Sequence, residues 1–378
     1  MRTVLLSLLI LQFLSFNLAA DLESYYKDFM ESNGYKLEEN LVLTDDGYIL
    51  SVWHLKPTVP NGKVAFLQHG LSDTAWCFFQ LGRKSLPFAL LKEGFDVWLG
   101  NIRGNIFSHN HMTKNPDNPM SGYYDYSIDE FVKYDLPSMI NLVRSKTGGK
   151  KISYIGHSQG TTIFFMLAMQ DPTFVEESFE HFAALGTVPN IAHTEFAPIG
   201  LLDRVYAILR AVGIFNAFSL TNTQRNLAAK LCKTTPGICG KAFDFGASIR
   251  PSGRMDYKNI FNYIYYFPGG VGKKNLLRWS QIHKMKKLVY FNPNFEKEKT
   301  AEPYNTQNLK KWKIKALIAR TDDDTFSSYQ DVTDFYNMVE DKSYVTILDL
   351  FNYGHVDCLS AESAINDVFA PIINFFKN

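Results

Sequence analysis

Short apolar runs separated by turn residues recur along most of the chain. The segment LVLTDDGYILSVWHLK predicts a β-hairpin that turns at Asp45-Asp46-Gly47. Five further runs, VAFLQHG, FDVWLG, KISYIG, KIKALIA and YVTILDL, predict buried strands, and DEFVKYDLPSMINLVRSKTG has the apolar spacing of a helix. Buried strands that alternate with helices predict an α/β fold, in which a mostly parallel central sheet carries helices on both faces.

The strand pattern stops between about residues 189 and 312. This stretch contains helix-like apolar segments, such as LLDRVYAILRAVGIF and KNIFNYIYYF, and it is interrupted by Pro and Gly clusters. The strand pattern resumes at residue 313. We therefore predict a core formed by residues 21–188 and 313–378, with a mainly helical cap or lid, residues 189–312, inserted between its strands.

Residues 1–20 have the layout of a secretory signal peptide. Arg2 precedes an apolar run from Val4 to about Leu14, and the segment ends in small residues. Polar residues interrupt the run, which is shorter than the roughly 20 residues that a membrane-spanning helix needs. We therefore expect entry into the secretory pathway and no integral membrane span.

Composition excludes several classes of protein. Hydrophobic residues make up 46% and charged residues 20% of the 378 residues, which is typical of a globular chain and not of a disordered or multi-span membrane protein. The formal net charge of +1 gives no support for nucleic-acid binding through a strongly basic surface.

The charge is nevertheless unevenly distributed. The predicted cap carries 19 Lys and Arg against 7 Asp and Glu, so it is strongly basic and the predicted core is acidic. Attraction between the two parts and ordinary solubility explain much of this asymmetry. A sharper hypothesis is that lysines on the outer face of the cap approach anionic lipid surfaces or carboxylates. These lysines are Lys273, Lys274, Lys284, Lys286 and Lys287.

Gly156-His157-Ser158-Gln159-Gly160 fits the G-x-S-x-G pattern of a nucleophile elbow, in which a strand turns sharply into a helix and exposes a serine hydroxyl. The motif alone has little specificity, and an ordinary turn serine is the alternative. Here a strand-like run, KISYI, precedes it and a helix-like run, TTIFFMLAM, follows it. This context predicts that Ser158 is a catalytic nucleophile.

A serine nucleophile needs a general base and an acid that orients the base, and in this arrangement the chain order is Ser, acid, His. Four histidines follow Ser158: His181, His193, His283 and His355. Only His355 lies just after the last predicted strand, where a loop at the carboxyl end of the sheet faces the site. The acid candidates are Asp322, Asp323 and Asp324, and local reasoning does not choose among them.

The negative charge of a tetrahedral intermediate needs hydrogen-bond donors. They are typically the N–H of the residue after the nucleophile and an N–H from a loop after an earlier strand. Gln159 is the first candidate. Leu71, which follows the run VAFLQ and His69-Gly70, is the second.

Four segments in this order resemble the acid lipase family of α/β-hydrolases, which includes the gastric and lysosomal acid lipases. They are LQHGL at 67–71, GNIRGN at 100–105, KYDLP at 133–137 and GHSQGTT at 156–162. The resemblance implies an α/β-hydrolase fold, places the catalytic acid at Asp324 through the segment DTFSSYQDV, and matches the family histidine to His355. It also implies Leu71 and Gln159 as oxyanion residues, whereas Asn101 and Arg103 are expected to shape a loop.

The family resemblance implies a secreted or lysosomal lipase. Such an enzyme hydrolyses the carboxylic ester bonds of neutral lipids, triacylglycerols or sterol esters, at a lipid–water interface, through a Ser-His-Asp acyl-enzyme mechanism. This mechanism requires no metal or organic cofactor. Two alternatives are an esterase or acyltransferase that acts on smaller acyl groups, and a non-catalytic lipid-binding protein with the same fold.

Four cysteines are too few for a disulfide scaffold. Cys232 and Cys239 bracket a Pro-Gly turn and could close a small loop, and the family resemblance implies a disulfide in this part of the cap. For Cys77 and Cys358 we favour two buried free thiols over a bond between two active-site loops.

Overall fold

The computed structural model describes residues 24–211, 216–218, 220–247 and 252–378. The predicted signal segment, residues 1–20, lies outside these residues. In the described part of the chain, no helix is both long enough and apolar enough to cross a membrane.

A nine-stranded sheet forms the centre of the described structure. The strands of the protein are β1 (Leu37–Leu43), β2 (Tyr48–Leu55), β3 (Val64–Gln68), β4 (Asp96–Gly100), β5 (Asn110–His111), β6 (Ile152–His157), β7 (Phe179–Leu185), β8 (Asn216–Ala217), β9 (Val271–Gly272), β10 (Lys315–Thr321) and β11 (Val345–Leu350). The central sheet has the order β1-β2-β4-β3-β6-β7-β10-β11, with β5 paired to β2, and β8 pairs with β9 separately.

Six neighbouring strands of the sheet pair in parallel, in the order β4-β3-β6-β7-β10-β11. The antiparallel pairs are β1 with β2, β2 with β4 and β2 with β5. The predicted hairpin is confirmed, since Leu43 pairs with Ile49 and Gly47 adopts a positive φ of 94° in the turn. All five residues of β3 and all six of β6 are buried. Strands covered on both faces read as continuous apolar runs, which explains why these segments could be recognised.

The α-helices cover both faces of the sheet and form most of the inserted segment. They are α1 (Tyr25–Ser32), α2 (Leu86–Lys92), α3 (Ile128–Glu130), α4 (Leu136–Lys146), α5 (Gln159–Gln170), α6 (Pro172–Ser178), α7 (Leu202–Ala211), α8 (Asn222–Thr234), α9 (Pro236–Ala247), α10 (Ile260–Tyr266), α11 (Lys273–Met285), α12 (Phe295–Glu298), α13 (Gln307–Lys310), α14 (Tyr329–Met338), α15 (Asp357–Ser360) and α16 (Ala370–Lys377).

Alternate residues of the central strands enter two different hydrophobic clusters. Phe66 and Tyr154 pack on one face, with α4 and α5, and Leu67 and Ile155 pack on the other, with α2 and α16. The period of two along the strands therefore divides the core into two layers.

Strand β7 was not predicted from the sequence. It carries Glu180 and His181 within FEHFAAL and follows α6 without a turn signal. His181 is fully buried, and its Nδ1 lies 3.1 Å from the Ser153 hydroxyl on the neighbouring strand. Burial lowers the pKa of His181 to about 4, so the ring remains neutral inside the sheet.

The end of the inserted segment packs into the core. The Trp312 ring lies 6.0 Å from the rings of Phe164, Phe165 and Phe182, and Tyr304 belongs to the same buried cluster. Residues 304–312 therefore pack with the sheet and α5, although the predicted cap extends to residue 312.

Two ion pairs connect basic residues of the inserted segment to acidic residues of the core. Lys274 pairs with Asp125, and the Arg278 guanidinium lies 3.0 Å from the Asp129 carboxylate. Lys273, which the sequence analysis placed on an outer face, is instead only 6% exposed. Long side chains cover apolar surface well, so a lysine in the sequence does not establish an exposed charge.

The cysteines divide into two kinds. Cys232 and Cys239 form a disulfide between α8 and α9. Cys77 and Cys358 are buried free thiols, and burial raises the pKa of each.

Candidate active site

Ser158 lies at the sharp turn between β6 and α5. Its φ of 53° and ψ of −121° are unusual for a residue with a side chain. The flanking glycines are required by close packing, because a Cβ atom on Gly160 would lie 2.3 Å from the Gln68 carbonyl oxygen and one on Gly156 would lie 2.8 Å from the Gly160 carbonyl carbon. This geometry explains the glycine positions of the G-x-S-x-G motif.

The structure brings Ser158, His355 and Asp324 together. His355 Nε2 lies 2.7 Å from Ser158 Oγ, and His355 Nδ1 lies 2.7 Å from Asp324 Oδ2. The three residues follow β6, β11 and β10, whose carboxyl ends meet at one edge of the parallel sheet. With a carboxylate at Nδ1, that nitrogen carries the proton and Nε2 accepts the hydrogen bond from the serine hydroxyl.

The three neighbouring aspartates have different environments. Asp324 is 5% exposed, and its second oxygen, Oδ1, accepts hydrogen bonds from the Phe326 and Ser327 N–H groups at 2.9 Å each. Asp322 accepts a 2.6 Å hydrogen bond from the Asn352 N–H, in the loop that leads to His355. Among these aspartates, only Asp324 contacts the histidine in the described structure.

His157 also positions the loop that carries His355, a role that sequence reasoning missed. Its Nε2 lies 3.1 Å from the backbone oxygen of His355. Burial, followed by the nearby His355, lowers the pKa of His157 to about 3, so the ring is a neutral structural group. His157 occupies the variable position before the nucleophile, which gave no signal for this role.

The other candidate histidines lie outside the constellation. His181 is in the sheet, and His193 lies against Asp331, with its Nδ1 3.2 Å from Oδ1. His283 is on helix α11, where burial lowers its pKa. Their positions agree with the interpretation that, of the four candidates, only His355 could act as the general base for Ser158.

Leu71 and Gln159 lie on either side of Ser158. Leu71 lines the cavity above Ser158. Gln159 is the first residue of α5, where backbone N–H groups have no acceptor within the helix. A Cβ atom on Gly70 would lie 2.9 Å from Ser158 Cβ, so the loop that carries Leu71 approaches the serine directly.

The GNIRGN segment braces the loop that contains Leu71. His69 Nδ1 lies 2.9 Å from the Gly70 carbonyl oxygen, so it carries the proton, and His69 Nε2 accepts the Ile102 N–H at 3.3 Å and the Asn105 amide at 3.1 Å. Burial lowers the pKa of His69 to about 4 and keeps this pattern intact. Asn101 extends the network through its side-chain oxygen, which accepts the Ala75 N–H at 2.9 Å.

Arg103 joins the GNIRGN and KYDLP segments. It is 2% exposed, and its Nε lies 2.7 Å from Asp135 Oδ1 while its NH2 lies 2.9 Å from Asp46 Oδ1. The guanidinium also lies 3.9 Å from the centre of the Tyr48 ring. As predicted, Asn101 and Arg103 shape the loop and do not contact Ser158 or His355 in the described structure.

An apolar cavity of about 340 Å³ opens above Ser158 and His355. Core loops and the inserted segment both contribute to its wall, and Asp73 is a buried carboxyl group within it. The apolar lining includes Val188, Ile191, Phe196, Ile199, Leu202, Phe243, Phe267, Leu276, Trp279 and Phe326. Within residues 24–378, as far as they are described, no group of three or more His, Cys, Asp or Glu side chains could hold a metal ion.

Comparison with known proteins identifies the family. The family described as alpha/beta hydrolase fold matches residues 66–360, and a partial alpha/beta-hydrolase lipase region matches residues 26–82. The gastric triacylglycerol lipase of Bos taurus is 31% identical over 362 residues, which cover 90% of this chain and 88% of that protein. The chain belongs to the acid lipase family of α/β-hydrolases.

Further comparisons agree with this family. The human lysosomal acid lipase/cholesteryl ester hydrolase is 33% identical over 274 residues, 68% of this chain and 66% of that protein. The bromoperoxidase of Bacillus anthracis has a TM-score of 0.55 at 14% identity and covers 90% of this chain and 100% of its own, which supports the fold alone. The predicted family and fold class are therefore confirmed.

Proposed function

We propose that the protein is a lipase that hydrolyses the carboxylic ester bonds of neutral lipids, with Ser158, His355 and Asp324 as its catalytic triad. The observation that carries this proposal is the continuous hydrogen-bonded chain of two 2.7 Å contacts that ends at a serine hydroxyl beneath an apolar cavity. An apolar wall around a serine nucleophile suits an ester with a long hydrocarbon chain.

In the proposed reaction, His355 Nε2 takes the proton of the Ser158 hydroxyl as Oγ attacks the ester carbonyl carbon. Asp324 stabilises the imidazolium, and the N–H groups of Leu71 and Gln159 donate to the oxyanion. The imidazolium then protonates the leaving alcohol. A water molecule, deprotonated by the same nitrogen, attacks the acyl-enzyme and releases the fatty acid and the free serine.

The substrate class follows from the cavity and from the relatives. One relative is named for triacylglycerols and another for cholesteryl esters. Both substrates present ester bonds beside long apolar groups, and the side chains around Ser158 offer a matching apolar wall. We therefore assign triacylglycerols, sterol esters or both as substrates, in a secreted or lysosomal enzyme.

The segment 189–312 is proposed to act as a cap that meets the lipid–water interface. Several large apolar side chains on its helices and connections are more than one third exposed. They are Leu201, Val205, Ile208, Phe218, Leu227, Leu231 and Ile238. Exposed apolar residues in one part of a chain favour contact with an apolar phase, and Lys286 and Lys287 are exposed cations of the same segment.

Ser158→Ala tests the proposed nucleophile. We expect a folded protein whose hydrolysis of a soluble short-chain ester, emulsified triolein and emulsified cholesteryl oleate falls by several orders of magnitude, because triad residues act as a unit. Ser145→Ala, at an exposed helical serine, is the control. Retained activity in Ser158→Ala would refute the mechanism. Strong preference for the soluble ester over both emulsions would instead identify an esterase of smaller substrates.

The proposed catalytic acid, Asp324, can be tested against the adjacent Asp323 as a matched control. Asp324→Asn should lower kcat by about 10⁴-fold, as loss of the orienting acid does in serine hydrolases. Asp323→Asn removes the same charge one residue away and should leave kcat unchanged. The assignment of Asp324 fails if the two variants behave in the opposite way.

A further inference from the structure

A helix of the inserted segment contacts the proposed oxyanion residue. Asn275 and Trp279 lie one turn apart on α11, so their side chains share one face of the helix. Asn275 Nδ2 and Trp279 Nε1 both donate hydrogen bonds to Gln159 Oε1, at 2.8 and 2.9 Å. Gln159 and Asn275 are fully buried, and Trp279 is 5% exposed.

The donors fix the orientation of the Gln159 side chain. An indole N–H can only donate, so the glutamine must present its oxygen to Trp279. The amide nitrogen, Nε2, is buried and has no hydrogen-bond partner among the described residues. The side chain is therefore held by its single oxygen, and both bonds to that oxygen come from the inserted segment.

Helix α11 is itself fixed to the core. The Arg278 side chain is fully buried and pairs with Asp129 at 3.0 Å. Asp129 also accepts the Tyr304 hydroxyl at 2.8 Å and the Phe291 N–H at 2.7 Å. The helix that carries Asn275 and Trp279 is thus held in place by the core, as residues that position a donor require.

We propose that Asn275 and Trp279 are positioning residues for the oxyanion donor: through the Gln159 side chain they fix the first turn of α5 and keep the Gln159 N–H aimed at the substrate carbonyl oxygen. This inference rests on the proposed function. It makes the inserted segment a part of the catalytic machinery as well as a wall of the substrate cavity.

Two variants of similar shape test the role. Asn275→Leu and Trp279→Phe each remove one donor and keep an apolar or aromatic side chain. Each should lower kcat on a soluble short-chain ester by about tenfold or more with KM within twofold, because loss of a whole oxyanion donor costs about 10² to 10³-fold in kcat. Inactivation by a small alkyl phosphonate, which presents a similar oxyanion to the same donors, should slow by the same factor.

A double-mutant cycle separates positioning from packing. Gln159→Met removes the acceptor, so adding Asn275→Leu or Trp279→Phe to it should reduce kcat no further. Equal reductions in the presence and absence of Gln159 would overturn the proposal, as would a raised KM with unchanged kcat in both single variants. The cycle applies even if the variants lose stability, because active enzyme is counted by phosphonate titration.

A control on the same helix is available. Ser280 is buried, and its hydroxyl has no partner among the described residues, so Ser280→Ala should leave kcat unchanged. Peptide mapping of the phosphonate adduct distinguishes failure of the proposed function from failure of the positioning role alone. An adduct outside Ser158 would refute the proposed function itself. An adduct on Ser158 that forms at the wild-type rate in Asn275→Leu and in Trp279→Phe would refute only the positioning role.

Discussion

Asp73 should make the stability of this protein depend on pH in a defined way. The residue follows the loop that contains Leu71 and is 6% exposed. One carboxyl oxygen accepts the Thr74 N–H and the other accepts the Tyr263 hydroxyl, each at 2.8 Å. Burial raises the pKa of Asp73 to about 7, although both hydrogen bonds oppose the shift.

The sign of the effect follows from proton binding. Between pH 4 and pH 7 the folded chain keeps a proton on Asp73 that the unfolded chain loses. The contribution of the neutral Asp73 carboxyl group to the free energy of unfolding is therefore fully present below the pKa of Asp73 in the unfolded chain. It is lost as the pH rises through the pKa of Asp73 in the folded chain. A shift of about three units corresponds to about 4 kcal/mol, at 1.36 kcal/mol for each unit.

Asp73→Asn isolates this contribution. The amide is uncharged, its oxygen can accept the Thr74 N–H, and its nitrogen can donate to the Tyr263 oxygen. The variant should match the wild type near pH 4 and exceed it by up to about 4 kcal/mol at pH 8. The quantity to measure is the difference in free energy of unfolding between the wild type and the variant. The wild type alone does not isolate Asp73, because the buried His69 and His157, with pKa values lowered to about 4 and about 3, destabilise the fold as the pH falls.

The assay is urea unfolding of both proteins at each pH from 4 to 8, followed by tryptophan fluorescence. The free-energy difference should grow with pH and level off above about pH 7. A difference that is constant from pH 4 to pH 8 would refute the reasoning. Tyr263→Phe is a useful companion, because loss of the hydroxyl removes a hydrogen bond that favours the charged carboxylate and should raise the pKa of Asp73 further.

Two further substitutions test the framework around the site. Arg103→Lys should lower the free energy of unfolding by about 3 kcal/mol, because an ammonium cannot reproduce the paired contacts to Asp135 and Asp46; an unchanged urea midpoint would contradict this. Gly70→Ala should lower kcat at least about tenfold, since its Cβ would lie 2.9 Å from Ser158 Cβ. In the control Gly237→Ala, the Cβ meets no atom within 4 Å, and normal activity is expected.

Sequence patterns were most informative where a local rule is strict. Parallel strands buried on both faces gave apolar runs, and the elbow at Ser158 required glycines on both sides. Strand β7 lacked such a signal, because Glu180 is an exposed charged residue at its start and the next residue, His181, is polar although the sheet buries it. A buried polar residue is recognisable only through its partner, which here comes from another strand.

The choice among the three aspartates shows the limit of local reasoning. All three follow β10, and only the fold determines which carboxylate reaches His355. The family resemblance had implied Asp324, and the structure places Asp324 beside His355 while Asp322 accepts the Asn352 N–H in the histidine loop. Side-chain direction after a strand depends on the local turn geometry, which residue type and spacing did not resolve for three adjacent aspartates.

Net charge showed a similar limit. The basic excess of residues 189–312 was visible in the sequence, but the groups that these basic side chains contact were not. Lys274 and Arg278 pair with acidic residues of the core, and Lys273 is buried. These contacts favour attraction between the segment and the core as a cause of the asymmetry. Lys286 and Lys287, in contrast, are exposed.

Both candidate oxyanion loops are in contact with the inserted segment. The Gly269 N–H donates to the Ser72 carbonyl oxygen at 2.7 Å, one residue after Leu71, and Trp279 holds the side chain of Gln159. A movement that admitted a bulky lipid by displacing the whole segment would break both contacts and disturb both donors. Entry that preserves the proposed oxyanion site must therefore leave residues 269–279 in place.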